Sequence, residues 1–345
     1  ITASHNSFED NGIKFFNKDG YKLSSELERK IETKLVEPIS VVKAANLGKA
    51  DRQDDAQGRY IEFCKSSSPD LNLEGLSIVL DCANGASYSI APKIFSELGA
   101  EVNSLSIEPN GININEKCGP TDPSNLQKEV KDSGAMLGIA FDGDGDRLLF
   151  IDRKGNILDG DDLLYVLIKS KQNFLGTSGV VGTLMTNKAL ELFLIKEDIG
   201  FLRADVGDKF VLDELIRQQW ILGGEPSGHI ICLDSSTTGD AIISALRILD
   251  AIKEQNFDIS KVLDSFNKYP QKLINLEINN PQTVMMHKSV RRKVGEMEES
   301  LGDKGRVLIR PSGTEHLIRI MVEAHSLDFA NKAAKELANL ISKVG

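Results

Sequence analysis

Met136-Leu137-Gly138-Ile139-Ala140-Phe141-Asp142-Gly143-Asp144-Gly145-Asp146-Arg147 is the stretch on which the reading of this chain turns. Its first half is an apolar run that suits a buried strand. Its second half alternates carboxylates with glycines. In an extended loop alternate residues point the same way, and glycine lets the backbone fold tightly enough for the three carboxylates to converge. Three hard oxygen ligands on one short loop suit Mg²⁺ and leave coordination positions for a phosphate. Arg147 adds a planar donor fork that can hold phosphate oxygens beside the metal. Carboxylates, cation and arginine together read as a site for moving a phosphoryl group. A solvated acidic surface loop is the plain alternative. An EF-hand is excluded, because Arg147 and Arg153 stand where its sixth-position Gly and twelfth-position Glu would be.

Upstream of this loop, strand and helix patterns alternate. Ser77 to Asp81 reads as a strand, Asn84-Gly85-Ala86 as a turn into a helix, Glu101 to Ile107 as a strand and Ser124 to Lys131 as a helix. This alternation predicts an α/β sandwich with mostly parallel strands, and the Asp loop then lies at the carboxyl end of its strand, where such sheets hold ligands. A second α/β unit follows: strand from Gly179, helices from Asn187, Asp208 and Gly239, and a short strand from His229 to Leu233. Tyr269 to Gln282 reads as a boundary. Beyond it, the strands Val307 to Arg310 and Leu317 to Glu323 flank a tight loop, and a last helix carries Phe329, Ala333, Leu337, Leu340, Ile341 and Val344 on one face. Nearer the start, Ser25 and Glu28 read as a capping box, and Gly48 to Gly58 as a linker.

The 345 residues allow two to four domains, and 41% hydrophobic with 27% charged residues is ordinary for a globular protein. A formal net charge of -10 argues against general binding to nucleic acid or anionic membranes. The four cysteines, Cys64, Cys82, Cys118 and Cys232, form no C-x-x-C and read as reduced thiols of a cytoplasmic protein. No apolar run approaches the ~20 residues that span a bilayer, and no signal peptide is visible.

Three other loops carry chemistry. Thr2-Ala3-Ser4-His5-Asn6 offers a hydroxyl nucleophile beside an imidazole, or an ordinary polar turn. Lys14, after the Asn11-Gly12 turn, suits a phosphate contact or proton carrier, with a solvated lysine as the default. Gly223-Gly224-Glu225-Pro226-Ser227-Gly228-His229 sets an acid, a hydroxyl and an imidazole at alternate positions, which suits a polyol; a bare glycine-rich turn is its rival. Arg310-Pro311-Ser312-Gly313-Thr314 has the composition of an anion nest, or of a hairpin loop, with Arg319 in a supporting role.

With these four loops in this order, the chain resembles the α-D-phosphohexomutases from Ile1 to the last helix, and Asn11 to Phe16, Gly58 to Cys64 and Asp81 to Ala86 look closest to the glucosamine branch. The resemblance implies an α/β, multidomain enzyme: three α/β sandwich domains, the first truncated, plus a small C-terminal α+β domain. The expected divisions are 1–57 with the serine loop, 58–157 with the metal loop, 158–270 with the sugar loop and 271–345 with the phosphate loop. Family members carry roughly a hundred residues before the serine loop, close to a domain's worth, so residues 1–57 read as the remnant of a first domain. The resemblance further implies that Ser4 carries a phosphoryl group, that Ser4, Asp142, Asp144 and Asp146 hold one Mg²⁺, and that His5, Lys14 and Arg147 assist transfer. It implies that Lys209, Glu225, Ser227 and His229 face the sugar, and that Arg310, Ser312, Gly313, Thr314 and Arg319 serve the phosphate that does not react. The implied reaction interconverts glucosamine 6-phosphate and glucosamine 1-phosphate through a 1,6-bisphosphate, with a hexose 1,6-bisphosphate as activator, and supplies UDP-N-acetylglucosamine for cell-wall synthesis. A phosphomannomutase or phosphoglucomutase, and a sugar-phosphate-binding protein without turnover, are the alternative readings. The resemblance favours a homodimer.

Overall fold

The structure, a computed structural model, describes residues 1–170, 178–311 and 317–344. They fall into two compact units, Ile1–Thr183 with Ala204–Leu263, and Leu184–Arg203 with Asp264–Gly345.

The first unit holds a five-stranded sheet of β1 (Ser77–Asp81), β2 (Glu101–Leu105), β3 (Leu137–Phe141), β4 (Leu148–Asp152) and β5 (Ile157–Leu158), in the order β2-β1-β3-β4-β5. β1 pairs in parallel with β2 and β3, while β4 runs antiparallel to β3 and β5. The sheet is therefore mixed rather than mostly parallel: the six-residue Asp loop is too short for a crossover helix, so it can only return the chain antiparallel. β3 and β4 are buried along their whole length, as their apolar residues require; Asp152 at the end of β4 is buried too, accepting from Asn156 N–H at 2.8 Å. Three more strands of this unit, β6 (Gly179–Thr183), β8 (Leu222–Gly224) and β9 (Ile230–Cys232), place β8 parallel to β6 and antiparallel to β9.

The helices of the first unit are α1 (Ser25–Leu35), α2 (Ala56–Ser66), α3 (Ala91–Glu97), α4 (Ser124–Ser133), α5 (Gly160–Lys169), α7 (Asp208–Gln218), α8 (Ala241–Ile252) and α9 (Ile259–Leu263). α1 is capped by Ser24, whose Oγ accepts from Leu27 N–H at 3.3 Å. This corrects the expected Ser25–Glu28 box; with Ser24 as cap, apolar Leu27 takes the position a reciprocal carboxylate would need. α7 buries Val211, Leu212 and Leu215 against Val181, Ala204 and Ile231, each side chain contributing about 2 kcal/mol. Asp240 caps α8 by accepting from Ile242 and Ile243 N–H, both at 3.0 Å.

The second unit contains α6 (Lys188–Lys196), and β7 (Gly200–Ala204) ends at the division. Its sheet is antiparallel throughout, in the order β10 (Gln271–Glu277), β12 (Leu317–Ala324), β11 (Gly305–Pro311). β10 lies inside the stretch read as a boundary. α10 (Pro281–Met286), α11 (Lys288–Leu301) and α12 (Leu327–Val344) complete the unit. α12 buries Ala330, Ala333, Ala334, Leu337, Ala338 and Ile341; of the expected stripe, Phe329 and Val344 pack against this core while half-buried, and Leu340 alone is not part of it.

Candidate active site

The Asp loop curls rather than extends. Asp142 Oδ1 accepts from Asp146 N–H at 3.1 Å and Arg147 N–H at 3.0 Å, and Gly145 N–H returns to the Asp142 carbonyl at 3.1 Å. Wrapping the backbone round one carboxylate brings the others inward, and Asp142, Asp144 and Asp146 each offer an oxygen within 4.8 Å of the others. Asp142 Oδ2, Asp144 Oδ1 and Asp146 Oδ1 are buried without a hydrogen-bond partner. Buried, unpaired carboxylate oxygens are costly unless a cation meets them, so this donor set fits a hard divalent ion such as Mg²⁺. Burial, followed by the charges of Asp146 and Asp144, pushes the Asp142 carboxyl up to about 8. Burial pushes Asp146 the same way, but His229 and Lys14 outweigh it and hold that carboxyl well below the usual range.

The serine loop docks on this turn. Ser4 has a left-handed backbone, φ 53°, and its N–H donates to Thr2 Oγ1 at 3.0 Å. Its carbonyl accepts from Gly143 N–H at 3.1 Å. A Cβ on Gly143 would collide with that carbonyl oxygen, and one on Gly85 would collide with the Gly143 backbone. Both glycines thus permit backbone-to-backbone stacking. His5 Nδ1 stands 3.4 Å from Ser4 Oγ; burial first, then Arg147, lowers its pKa. Lys14 Nζ pairs with the Asp144 carboxylate and lies 3.2 Å from Asp146 Oδ2. Burial opposes its charge, yet these carboxylates hold its pKa above the ordinary value. Arg147 Nε lies 3.9 Å from Asp146 Oδ1. Ser4, His5, Lys14 and Arg147 are therefore all gathered at the three aspartates.

The Glu225 loop is both a hairpin turn and a presenter of side chains. Glu225 N–H donates to the His229 carbonyl at 2.9 Å, closing the turn between β8 and β9. The loop is tied to the metal loop's strand by Leu148 N–H to the Gly228 carbonyl at 3.2 Å. Glu225 is buried, and its Oε2 accepts from Gly207 N–H at 3.0 Å. Ser227 is exposed. The His229 ring, 2% exposed, lies between two carboxylates, with Nδ1 3.6 Å from Asp146 Oδ1 and Nε2 3.7 Å from Asp208 Oδ2. Lys22 pairs with Asp208, and Lys209 with Glu28 of α1. Lys22 escaped the sequence reading; a lone lysine after Tyr21 is a faint signal without the fold.

In the second unit Arg310 and Arg319 stand opposite each other in register on β11 and β12. Ser312, Gly313 and Thr314 lie outside the described residues.

Comparison with known proteins places these loops in one family. Residues 1–39, 58–155, 159–269 and 273–340 match, respectively, the alpha/beta/alpha domains I, II and III and the C-terminal domain of phosphoglucomutase/phosphomannomutase. The chain is 50% identical over 344 residues to a phosphoglucosamine mutase of Janthinobacterium sp. (strain Marseille), covering 99% of this chain and 77% of that protein. It is 49% identical over 346 residues to a phosphoglucosamine mutase of Pseudomonas paraeruginosa, covering 100% and 78%. Among solved structures it is similar to Aspergillus fumigatus N-acetylphosphoglucosamine mutase in complex with GlcNAc-6P and magnesium, with TM-score 0.80 and 18% identity over 100% of this chain and 88% of that one. A phosphoglucomutase/phosphomannomutase family protein of Burkholderia thailandensis gives TM-score 0.78 and 22% identity over 99% and 75%. Among the described residues no helix is long and apolar enough to cross a membrane. Four matched domains in order, and half-identical relatives along nearly the whole chain, establish that it belongs to the phosphoglucomutase/phosphomannomutase family.

Proposed function

We propose that the chain is a phosphoglucosamine mutase, interconverting glucosamine 6-phosphate and glucosamine 1-phosphate through phospho-Ser4. The observation that carries this reading is the seating of the Ser4 carbonyl on Gly143 of the three-aspartate loop. The half-identical relatives that bear this name support the choice of sugar. The domains divide near residues 57, 157 and 270.

In the forward direction the sugar O1 attacks the phosphorus on Ser4. The bond from phosphorus to Ser4 Oγ breaks, a new bond to O1 forms, the O1 proton leaves to a nearby base, with His5 and Lys14 the candidates, and Ser4 Oγ takes up a proton in exchange. The resulting 1,6-bisphosphate turns end for end, and Ser4 Oγ, giving up its proton, takes the phosphoryl group from O6; the P–O6 bond breaks and O6 gains a proton, freeing glucosamine 1-phosphate. Such transfer depends on positioning and charge neutralisation more than on covalent machinery. Mg²⁺ held by Asp142, Asp144 and Asp146 supplies that neutralisation when bound, and Arg147 adds to it. Glu225 and Ser227 take sugar hydroxyls, with His229 and Lys209 beside them. Arg310, Ser312, Gly313, Thr314 and Arg319 hold the phosphate that does not react. A hexose 1,6-bisphosphate primes Ser4.

The test is turnover on glucosamine, glucose and mannose 6-phosphates, side by side, with Mg²⁺ and a trace of glucose 1,6-bisphosphate. Preference for the glucosamine substrate and an inactive Ser4→Ala variant are expected. Preference for mannose or glucose would reassign the sugar, and an active Ser4→Ala enzyme would sink the phosphoserine relay.

A further inference from the structure

The Ser4 carbonyl takes a second donor besides Gly143. Asn115 Nδ2 reaches it at 2.8 Å, and the same nitrogen donates to the Asn6 carbonyl at 2.7 Å. One amide group therefore spans the chain from Ser4 to Asn6. Both acceptors are carbonyl oxygens, so only the NH₂ end of the carboxamide fits there. Asn115 is itself fixed: its backbone is left-handed, φ 58°, a conformation asparagine tolerates better than most residues, and its N–H donates to the Ala83 carbonyl at 2.9 Å. The Gly85–Gly143 stack and Asn115 thus grip the serine loop from two sides.

A serine with positive φ is strained, and such backbone persists only where its surroundings over-determine it. On the proposed reaction, Ser4 must carry a phosphoryl group, lose it, wait while the bisphosphate turns, and recover the other one. Its backbone has to keep one place on the metal loop through both states. We propose that Asn115 is a positioning residue for this reaction, its side-chain amide clamping the Ser4–Asn6 backbone against the metal loop. The inference rests on the reading of Ser4 as the phosphoryl carrier.

Asn115→Gly keeps the left-handed backbone and removes the amide. Asn115→Asp keeps the shape and replaces the donor with an acceptor facing two carbonyls. Asn113→Ala is the control: Asn113 Nδ2 braces the loop that carries Asn115, through the Glu108 carbonyl at 3.0 Å, and bonds neither Ser4 nor Asn6. Each variant of the full chain would be assayed for kcat and KM, and for the rate at which glucose 1,6-bisphosphate phosphorylates Ser4, read by intact mass. Thermal unfolding would be recorded alongside. The clamp predicts a kcat lower by about 10- to 100-fold in both Asn115 variants, the range expected for a misplaced reacting group. KM should stay within about twofold, and Ser4 phosphorylation should slow by the same factor as kcat, because misplacement acts on transfer more than on binding. Asn113→Ala should stay within about twofold of the parent kcat on the same argument. Full kcat in Asn115→Gly, or an Asn113→Ala enzyme as slow as Asn115→Gly, would overturn the clamp. If Ser4→Ala is inactive while Asn115→Gly is normal, the clamp alone fails; if Ser4→Ala is active, the clamp and the phosphoserine reading fail together.

Discussion

His229 joins the Glu225 loop to the Asp loop, its Nδ1 lying 3.6 Å from Asp146 Oδ1. Burial alone would lift the Asp146 carboxyl; His229, then Lys14, reverses the sign. A carboxylate held low stays ionised, and free for a metal, to more acid pH. His229→Gln removes the partner that does most to hold Asp146 low, so protons then compete for Asp146 earlier as pH falls. Mg²⁺ affinity measured by calorimetry should weaken in this variant, and the gap from the parent should widen from pH 8 towards about pH 5, nearer the ordinary carboxylate range.

Asp142 has the opposite bias. Burial and its two acidic neighbours raise it to about 8, so at neutral pH the metal-free carboxyl is largely protonated. A metal needs the carboxylate, and Mg²⁺ binding should therefore release a proton below about pH 8. Calorimetric titration in buffers of different ionisation enthalpy reads the proton count directly. Asp144→Asn should weaken Mg²⁺ binding by about tenfold or more, by losing one charged ligand.

Gly143→Ala tests the stacking of the loops. The new Cβ meets the Ser4 carbonyl and the Ile114 side chain, and overpacking of this kind costs about 1–3 kcal/mol. The serine loop, more weakly held than β3 or β4, should be what yields. The expected outcome is a kcat about 100-fold lower with the core's hydrogen-exchange protection little changed, since a displacement of about 1 Å is enough for that loss.

The second unit has its own vulnerable point. Glu323 on β12 is fully buried and pairs with Arg306 of β11. Arg306 also donates to the Leu184 carbonyl at 2.6 Å and the Thr186 carbonyl at 2.7 Å. Glu323→Gln leaves a guanidinium largely out of water without its counter-charge, which costs about 3 kcal/mol. Amide exchange in β11 and β12 should accelerate accordingly, while β1 to β4 keep their protection.

The sequence disclosed the elements whose local signal and fold agree. The apolar run before Asp142, the glycines between the aspartates and the strand at Ser77 each point to one structure at every level. β10 was lost because it is an exposed-edge strand: Gln271, Leu273, Asn275 and Glu277 face out, so an apolar residue sits on the wet side and breaks the alternation. Asn280 and Pro281 beside it then suggest a boundary. Of the candidate site, the aspartates, Ser4, Lys14 and Glu225 could be singled out because their residue types suit the chemistry. Asn115 was not. An amide in a stretch that holds Asn110, Asn113 and Asn115 says nothing of the carbonyls it will meet, since those lie more than a hundred residues away in the chain.

The stack of Gly85, Gly143 and Ser4 constrains how this chain can change. The spacing of the loops is set there by backbone meeting backbone, with no side chain between to be trimmed or enlarged. Packing elsewhere can drift one methyl group at a time, with neighbours relaxing to suit. At this point a single added carbon meets the Ser4 carbonyl itself, and trimming Ile114 relieves only part of the clash. The three positions are mutationally locked to one another, so a redesign that aims to move the serine must rebuild all three loops in one step.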